Sequence, residues 1–344
     1  MHQTTGSSGI AGALSFVVSF LLSFVTMLAC ALPPLIDNAA AQTYPHKPIR
    51  IIVPYPPGSA PDFTAREVGQ LFSKALGQPV VIDTRPGAAA TLAHAIAAKS
   101  QPDGYTLLLA TTGGLVSGPA LVGDKIPYDP LKDFAMIGLA TYVPYSLVVT
   151  GGLPARNVKE LIDLAKASPG KLNVASPGVG TPNHLGAAQL MTMTGIEMVH
   201  VTYKGGSLAI TDLLAGNVQV LVTALQLVLP HHATGKLRIL GVGHTKRLRA
   251  YPDIPTVGET VPGYYNTGWW GMVAPAGTPK TIVDKLNAIM VPGLAQADVM
   301  QRFEKNGLEI ASSTPQGLRD LVVNDLAMWK KIIKDARISV DVLP

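Results

Sequence analysis

Short runs of consecutive apolar residues alternate along this chain with helical patterns, and this alternation limits the folds that it can adopt. The first run, Ile51-Ile52-Val53, enters a turn rich in Pro and Gly. Apolar residues then recur at helical spacing from Asp62 onward. Further apolar runs follow at Pro79–Asp83 and Tyr105–Ala110. Strands that are apolar throughout are typical of a parallel sheet covered by helices on both faces, so the sequence predicts an α/β fold.

The patterns also predict two α/β lobes that are joined by two extended crossings. The first crossing lies around Met136–Val149, and Tyr264–Pro275 is predicted to be a strand that returns to the first lobe. We therefore expect a discontinuous first lobe, residues 42–141 and 271–344, and a second lobe, residues 142–270, that includes the crossings. Two lobes connected in this way form a hinged cleft that can close on a ligand. Among the predicted elements with the clearest pattern are Val158–Ala167, Leu237–Val242 and Lys280–Leu294.

Residues 1–41 are expected to be an export signal and not part of the fold. Ile10–Leu32 is nearly all apolar, and Ala39-Ala40-Ala41 followed by Gln42 has the small-residue pattern of a cleavage site. Cleavage after Ala41 predicts a periplasmic protein. The segment contains no Lys or Arg and is long enough to span a bilayer, so an uncleaved anchor is the alternative. A lipoprotein cut before Cys30 fits the flanking residues poorly.

Composition argues against several classes of function. The net charge of +5 is scattered, and the densest basic stretch, Lys236–Arg249, has no interleaved aromatic residues. This pattern indicates a solvated basic face and not a nucleic-acid site. Cys30 is the only cysteine, so neither a disulfide nor a cysteine-based metal site is expected in the remainder. His231-His232 are neighbours that point in different directions on a helix, which favours surface residues over metal ligands. We expect neither a metal nor a cofactor.

Two loops that each enter a helix are the candidate ligand site. They are Gly58–Asp62 and Ser176–Thr181. The first N–H groups of a helix lack intrahelical partners and, together with the helix dipole, favour a bound anion. Asp62 is predicted to be the N-cap of its helix. Thr111–Gly114 follows another strand of the predicted sheet and is expected to face the same crevice. For the first loop, an ordinary strand-to-helix connection stiffened by proline is the alternative.

The sequence contains none of the common catalytic spacings. It has no GxSxG elbow, HExxH, CxxC or Walker A motif, and no GxGxxG after a strand. A set of Ser59, His184 and Asp62 could be assembled across the cleft, but no spacing selects it. We therefore predict a binding protein and not an enzyme. Two alternatives are a secreted hydrolase with Ser59 or Ser176 as nucleophile and a ligand-sensing partner of a signalling protein.

A series of short motifs resembles the Bug-type receptors of tripartite tricarboxylate transporters. Pro56–Arg66 resembles the PPGGxxD…AR motif of these receptors. The resemblance runs in the same order from about Tyr44 to Asp335, which is nearly the whole chain after the predicted signal. The further matching motifs are Arg85–Ala88, Pro102–Leu107, Ser176–Leu185, Tyr203–Gly216, Pro230–Arg238, Pro252–Thr256 and Ala274–Pro279.

The resemblance implies a periplasmic solute-binding receptor with the type II periplasmic binding protein fold, a monomer that works with membrane permease subunits. In this family a small organic carboxylate is held between the lobes, largely by backbone groups and waters at the two loops. His184 matches a family histidine, for which packing or capping is the alternative to ligand contact. The ligand-binding residues implied here are Gly58, Ser59, Ala60, Asp62, Thr111, Thr112, Ser176, Gly178, Gly180, Thr181, His184 and Tyr203.

Several positions depart from the family pattern. Ser59 replaces the second glycine of PPGG, which removes backbone freedom and adds a hydroxyl group. Ala89 and Ala90 replace two further glycines, and the family's acidic positions are Gln219 and the neighbourhood of Ala224. Because these acids are absent, we predict a ligand without an amino group.

Two cations and four aromatic residues are further candidates for ligand contact. Arg85 or Lys204 could pair with a carboxylate, but each lies in a turn where a structural role is the favoured interpretation. An aromatic ring could stack on a flat ligand, with packing at the hinge as the alternative. The aromatic candidates are Tyr142, Tyr145, Tyr203 and Trp270.

Overall fold

The computed structural model describes residues 44–87, 90–203 and 205–338. The predicted export signal, Ala89 and Lys204 therefore lie outside the described residues. The strands are β1 Ile49–Val53, β2 Val80–Thr84, β3 Thr106–Thr111, β4 Phe134–Thr150, β5 Asn173–Ser176, β6 Val199–Thr202, β7 Val220–Ala224, β8 Leu237–Val242, β9 Thr267–Pro275 and β10 Glu309–Ile310. The α-helices are α1 Ala60–Leu76, α2 Thr91–Ala98, α3 Gly118–Val122, α4 Val158–Ala167, α5 Pro182–Thr194, α6 Gly206–Ala215, α7 Leu229–Ala233, α8 Lys280–Leu294, α9 Ala297–Lys305 and α10 Pro315–Asp335.

The strands form one continuous mixed sheet in the order β2-β1-β3-β9-β4-β7-β5-β6, with β8 and β10 paired to β4. β1, β2 and β3 are parallel, as are β5, β6 and β7, which confirms the predicted α/β fold. β9 is antiparallel to both β3 and β4. The carboxyl ends of each parallel set lie at one edge, so the loops after β1 and β3, and those after β5 and β7, are neighbours within their lobes.

The long strand β4 passes from one half of the sheet to the other. Its residues Phe134–Pro144 pair with β9, and its residues Tyr145–Val149 pair with β7. The second connection lies beside it, since Gly243 N–H donates to Tyr145 O at 2.8 Å and Asn266 N–H donates to Gly243 O at 2.8 Å. A Cβ at Gly243 would stand 2.4 Å from Asn266 O, so this close approach requires glycine. The lobe boundaries given above stay predictions.

Alternate residues of the strands enter cores on opposite faces of the sheet. Ile51, Leu107 and Leu109 pack with α1 and α8, whereas Ile52 and Leu108 pack with α2 and α10. The second half of the sheet is covered in the same way, by α4 and α5 on one face and α6 on the other. This coverage explains the apolar strand patterns in the sequence. None of the helices within the described ranges is both long and apolar enough to cross a bilayer.

Most of the element predictions hold, and one segment differs. Val158–Ala167, Leu237–Val242 and Lys280–Leu294 are confirmed at both ends. The chain after Thr112, expected to be a glycine-rich loop, instead forms a π-helical turn over Gly113–Ser117 that continues into α3. Gly114 serves close packing there, because a Cβ at this position would come within 2.0 Å of the buried His94 ring.

Candidate functional site

Helix α1, which follows the loop after β1, has its N-cap three residues earlier than the sequence pattern indicated. Ser59 has extended backbone angles and is the N-cap, its hydroxyl accepting from Asp62 N–H. The prediction that Asp62 is the N-cap was wrong, because both residues are good caps and the apolar pattern starts only at Phe63. Asp62 Oδ2 reaches back to accept from Gly58 N–H and Arg66 Nε, each at 2.9 Å. Asp62, a residue of the first turn of α1, thus holds the preceding loop through Gly58 N–H.

The charge of Asp62 is fixed by these contacts. Burial acts to raise the pKa of the carboxyl, but the hydrogen bonds from Arg66 and from Gly58 N–H outweigh it and lower the pKa. The carboxylate is therefore ionised at neutral pH. A buried anion that already holds loop donors supports the loop and does not itself attract an anionic ligand.

Tyr55, which the sequence analysis did not single out, belongs to the loop after β1 and lies beside Thr111 at the end of β3. Its side chain is 37% exposed. The surrounding protein nevertheless raises the pKa of its hydroxyl by burial, and the adjacent Thr111 side chain acts in the opposite direction. At the hinge, burial first and then the nearby Tyr55 raise the pKa of Tyr145. Tyr55 is therefore within electrostatic reach of both Thr111 and Tyr145. An aromatic residue two positions after an apolar strand was the available signal.

Thr111 and Thr112 are both buried and are bound to the scaffold. Thr112 Oγ1 accepts from Trp269 N–H at 2.7 Å and donates to Trp269 O at 3.1 Å, which ties the end of β3 to β9. Thr111 Oγ1 accepts from Gly114 N–H, and Thr111 N–H donates to the fully buried His94 ring. Burial, partly opposed by a hydrogen bond to Ala90 O, lowers the pKa of His94 to about 4, so the ring is neutral. His94 is a supporting residue that sequence reasoning missed.

The loop between β5 and α5 is held by its own hydroxyl groups. Ser176 Oγ bonds both Gly178 O, at 3.1 Å, and Gly178 N–H, at 3.2 Å. Thr181 is the N-cap of α5: its hydroxyl donates to Gly178 O and accepts from His184 N–H. Gly180 N–H donates to Nδ1 of His184 at 3.1 Å. The predicted residues Ser176, Gly178, Gly180, Thr181 and His184 therefore form one connected unit.

This second-lobe loop touches the first lobe. Gly180 has φ +75°, and a Cβ there would stand 2.0 Å from Leu121 of α3. Leu185, in the first turn of α5, belongs to the core cluster that contains Leu108 and Leu115 of the first lobe. The loops after β3 and β5 therefore meet across the junction of the lobes, and Tyr55 brings the loop after β1 to the same region.

A cavity of about 400 Å³ opens beside the first loop. Gly58–Ala60, Phe63 and Lys305–Gly307 line it from the first lobe. Gln226, Leu229, Pro230 and Tyr251 line it from the other side. Of the two predicted loops, the cavity is lined by the first and not by Ser176–Thr181. The second-lobe residues on the cavity wall were missed because the one motif there, Pro230–Arg238, carries no chemistry that would mark a ligand contact.

The other candidates have structural partners. Tyr203 donates its hydroxyl to Asp212 Oδ2 at 2.7 Å, and burial followed by Asp212 raises the pKa of Tyr203 to about 12. Arg85 pairs with Asp83 at 2.9 Å, as its favoured interpretation expected. Tyr142 stacks edge-on against His244, and Trp270 lies in the core cluster that contains Ile51 and Leu107. Tyr145 is half-buried and, among the aromatic candidates, has no hydroxyl partner or aromatic ring contact within the described residues.

Neither serine that was considered as a nucleophile, Ser59 or Ser176, lies in a complete catalytic arrangement. Ser59 Oγ donates to Pro56 O, and Asp62 is occupied by Gly58 and Arg66, so the set with His184 is not assembled. Ser176 Oγ lies 2.7 Å from His200 Nε2, but Ser176 is fully buried and, among the described residues, no acid binds the other nitrogen of His200. The same part of the chain contains no cluster of three or more metal-ligating side chains.

Comparison with known proteins places the chain in a family. A family model described as tripartite tricarboxylate transporter family receptor matches residues 64–338. The chain belongs to this receptor family. It is a solute-binding receptor of the Bug type, and its fold is that of the family's periplasmic binding proteins, as the sequence motifs implied.

Three relatives define how similar this receptor is to known members. Protein BugT of Bordetella pertussis is 33% identical over 301 residues, which cover 86% of this chain and 91% of BugT. A structure of an R. palustris protein with adipate has a TM-score of 0.76 and 33% identity, covering 86% of this chain and 99% of that one. MatC of Rhodopseudomonas palustris with bound malate has a TM-score of 0.71 and 29% identity, covering 84% and 100%.

Proposed function

We propose that this receptor captures a small organic carboxylate between its lobes and delivers it to the permease subunits of a tripartite tricarboxylate-type transporter. Family membership and the adipate and malate held by two solved relatives support the ligand class. We further propose that the chain is exported to the periplasm by its N-terminal segment, acts as a monomer and performs no chemistry on its ligand.

The charge distribution in the cavity is the observation that carries the ligand class. Among the described residues that line it, Lys305 is the only one with a formally charged side chain. Lys305 is exposed and takes part in no ion pair within the described residues. An uncompensated cation attracts an anion, whereas a ligand amine would find no carboxylate on this wall. A wall with one lysine and no acidic residue favours a carboxylate without an amino group as ligand. This agrees with the sequence departures at Gln219 and Ala224.

We assign the candidate residues two kinds of role. Gly58, Ser59 and Ala60 supply a small, open wall for the ligand, since a Cβ at Gly58 would meet no atom within 4 Å. Asp62, Thr112 and Tyr203 keep the loops in place through Gly58, Trp269 and Asp212 respectively. His184 likewise holds the second loop through Gly180 N–H. The remaining predicted residues, Thr111, Ser176, Gly178, Gly180 and Thr181, would approach the ligand on closure of the cleft.

A ligand panel tests the proposal. Calorimetry on the protein purified from the periplasm should show binding of at least one plain carboxylate, such as adipate or malate, and recovery of the ligand unchanged. We expect aspartate and glutamate to bind at least about tenfold more weakly, because an unpaired ammonium loses roughly 1.4 kcal/mol or more of interaction. Tighter binding of the amino acids, or conversion of the ligand, would contradict the proposal. Native mass spectrometry of the fresh protein would identify a co-purified acid, the mass of a monomer and the cleavage site.

Replacing Ser59 with phenylalanine should abolish binding and leave the receptor folded. The bulky ring would occupy the wall that Gly58–Ala60 provide, while loss of the N-cap hydroxyl costs about 1 kcal/mol of stability. Ser59→Ala removes the same cap without adding bulk and should retain affinity within about threefold. Thr314→Phe alters the N-cap of α10, away from the cavity, and serves as a second control. Calorimetry and thermal unfolding separate the two effects. Unchanged affinity in Ser59→Phe would place the ligand elsewhere.

A further inference from the structure

Two imidazole rings support the second-lobe loop, and neither is assigned a ligand contact in the proposal above. His184 lies in the first turn of α5 and is 7% exposed, and His200 lies on β6. The rings are stacked, with centroids 3.9 Å apart and planes inclined by 12°. Rings this close are tolerated well when both are neutral, whereas two imidazolium ions would repel each other.

Each ring holds a different part of the loop. Nδ1 of His184 accepts from Gly180 N–H at 3.1 Å, so in the neutral ring the proton resides on Nε2. Nε2 of His200 lies 2.7 Å from Ser176 Oγ, whose other partners are the N–H and carbonyl groups of Gly178. The two glycines, with φ values of +150° and +75°, are therefore anchored through the stacked pair.

Protonation of His184 would break this arrangement directly. A proton on Nδ1 would face the Gly180 N–H group, so that two donors would point at each other and the hydrogen bond would be lost. The same proton would also place a positive charge 3.9 Å from the second ring. Gly180 would then be free to move away from Leu121 of the first lobe.

We propose that the stacked His184–His200 pair is a positioning element that holds the Ser176–Thr181 loop in its ligand-binding form only while His184 is neutral, so that acid releases the ligand. This inference rests on the proposed function. Within the described residues, Ser176 and Gly180 on the loop bond the two rings, and Thr181 Oγ1 accepts from His184 N–H. The nearest titratable hydroxyl bonded to the same helix is that of Tyr264, which donates to Gly186 O, two residues after His184.

The electrostatic surroundings agree with this role. Burial first, and then the neighbouring His200, lower the pKa of His184 to about 4, and burial lowers the pKa of His200. No charged side chain among the described residues contributes to either shift. Burial raises the pKa of Tyr264, so this hydroxyl stays neutral throughout the relevant range. A solvated histidine titrates near pH 6.5, so an opened loop takes up a proton that the closed loop excludes.

The sign of the effect follows from that difference. The closed, ligand-bound loop favours neutral His184, so affinity is highest above pH 6.5 and falls as the pH is lowered towards 4. We expect the dissociation constant to rise by roughly tenfold or more between pH 7 and pH 4.5, in excess of any change due to titration of the ligand itself.

Asparagine at position 184 provides a decisive variant. Its Oδ1 can stand in for Nδ1 and accept from Gly180 N–H, but it cannot be protonated. His184→Asn should bind like the wild type at pH 7 and lose the excess weakening at pH 4.5. His184→Leu removes the acceptor and should bind weakly at both pH values. A merely packed histidine would give no rescue by asparagine and no difference in pH dependence.

The experiment has one arm without ligand and one arm with it. In the first, ¹H–¹⁵N spectra follow the Gly180 amide of the full protein from pH 7.5 to 4; its shift should titrate together with His184 and stay flat in His184→Asn. In the second, calorimetry compares affinity for adipate, or for whichever carboxylate the panel identifies, at pH 7 and 4.5. A Gly180 amide that ignores pH overturns the inference whatever the protein binds. Equal pH dependence in wild type and His184→Asn overturns the link to release. Failure of every carboxylate to bind overturns the proposed function and, with it, the release step, while the amide titration still reports on the loop.

Discussion

Gly180→Val is expected to abolish ligand binding and to leave most of the protein folded. Gly180 has φ +75°, a conformation that is strained for a β-branched residue by about 1–3 kcal/mol. Its new Cβ would also stand 2.0 Å from Leu121 Cδ2. The loop must shift to relieve both, and the Gly180 N–H bond to His184 is lost with it. Calorimetry should show affinity reduced by about a hundredfold or more, since two of the contacts that set the loop are removed.

A matched glycine separates backbone strain from the effect on the cleft. Gly195 ends the same helix with φ +67°, and a Cβ there would meet no atom within 4 Å. Gly195→Val should lose a similar free energy of unfolding and keep its affinity. Adding Leu121→Ala to the milder Gly180→Ala should recover part of the lost affinity, because the side chain in the way is shortened. Wild-type affinity in Gly180→Val would exclude this loop from ligand binding.

The sequence patterns predicted those parts of the fold that depend on local periodicity. Val158–Ala167 was correct at both ends because it has a clear apolar face and an Asn157 N-cap with Glu160 in the first turn. Lys280–Leu294 was correct through its apolar face alone, since its ends carry no side-chain cap and Pro292 lies inside it. The helical turns after Thr112 were missed because Gly113-Gly114 signals a loop, whereas here the absence of a Cβ admits the His94 ring. The antiparallel position of β9 between β3 and β4 depends on pairing over long range, which no local pattern encodes.

In the candidate site, too, local motifs were predicted from the sequence and long-range neighbours were not. Motif spacing placed Ser176, Gly178, Gly180, Thr181 and His184 on one loop, and the structure connects them by hydrogen bonds. The residues that the sequence could not supply are those contributed by distant elements. His200 stacks on His184 from strand β6, and Gln226 and Lys305 reach the cavity from the turn after β7 and from α9. These neighbours are set by the tertiary fold.

Asp325→Asn is expected to stabilise the receptor at neutral pH, although it replaces the acceptor of a buried hydrogen bond. Asp325 on α10 is 4% exposed, and its Oδ2 accepts from Trp269 Nε1 at 2.8 Å. Burial raises the pKa of Asp325 to about 6, and the Trp269 hydrogen bond only partly offsets it. The folded state therefore holds a proton more tightly than the unfolded chain, in which an aspartate titrates near 3.9.

The sign of the pH dependence follows from this raised pKa. The contribution of Asp325 to stability is fully present below about pH 3.9 and is lost as the pH rises through about 6, where the buried carboxylate becomes charged. Above pH 7 the charged form costs about 2–3 kcal/mol. Asparagine is neutral at every pH and its oxygen can still accept from Trp269 Nε1. The variant should therefore gain about 2 kcal/mol at pH 7.5 and nothing near pH 4.

Denaturant unfolding of both proteins across this range measures the difference directly, and pH effects from other groups, such as His94 and His184, cancel in it. Asp320→Asn provides a matched control, because Asp320 is exposed on the same helix and bonds only Gln316. That variant should change stability by less than about 0.5 kcal/mol at either pH. Destabilisation of Asp325→Asn at pH 7.5 would mean that the charged carboxylate holds Trp269, and through its backbone Thr112, more firmly than an amide can. The free-energy cost of the buried charge would then be offset by firmer hydrogen bonding of Trp269 and Thr112 at the end of β3, beside the cleft.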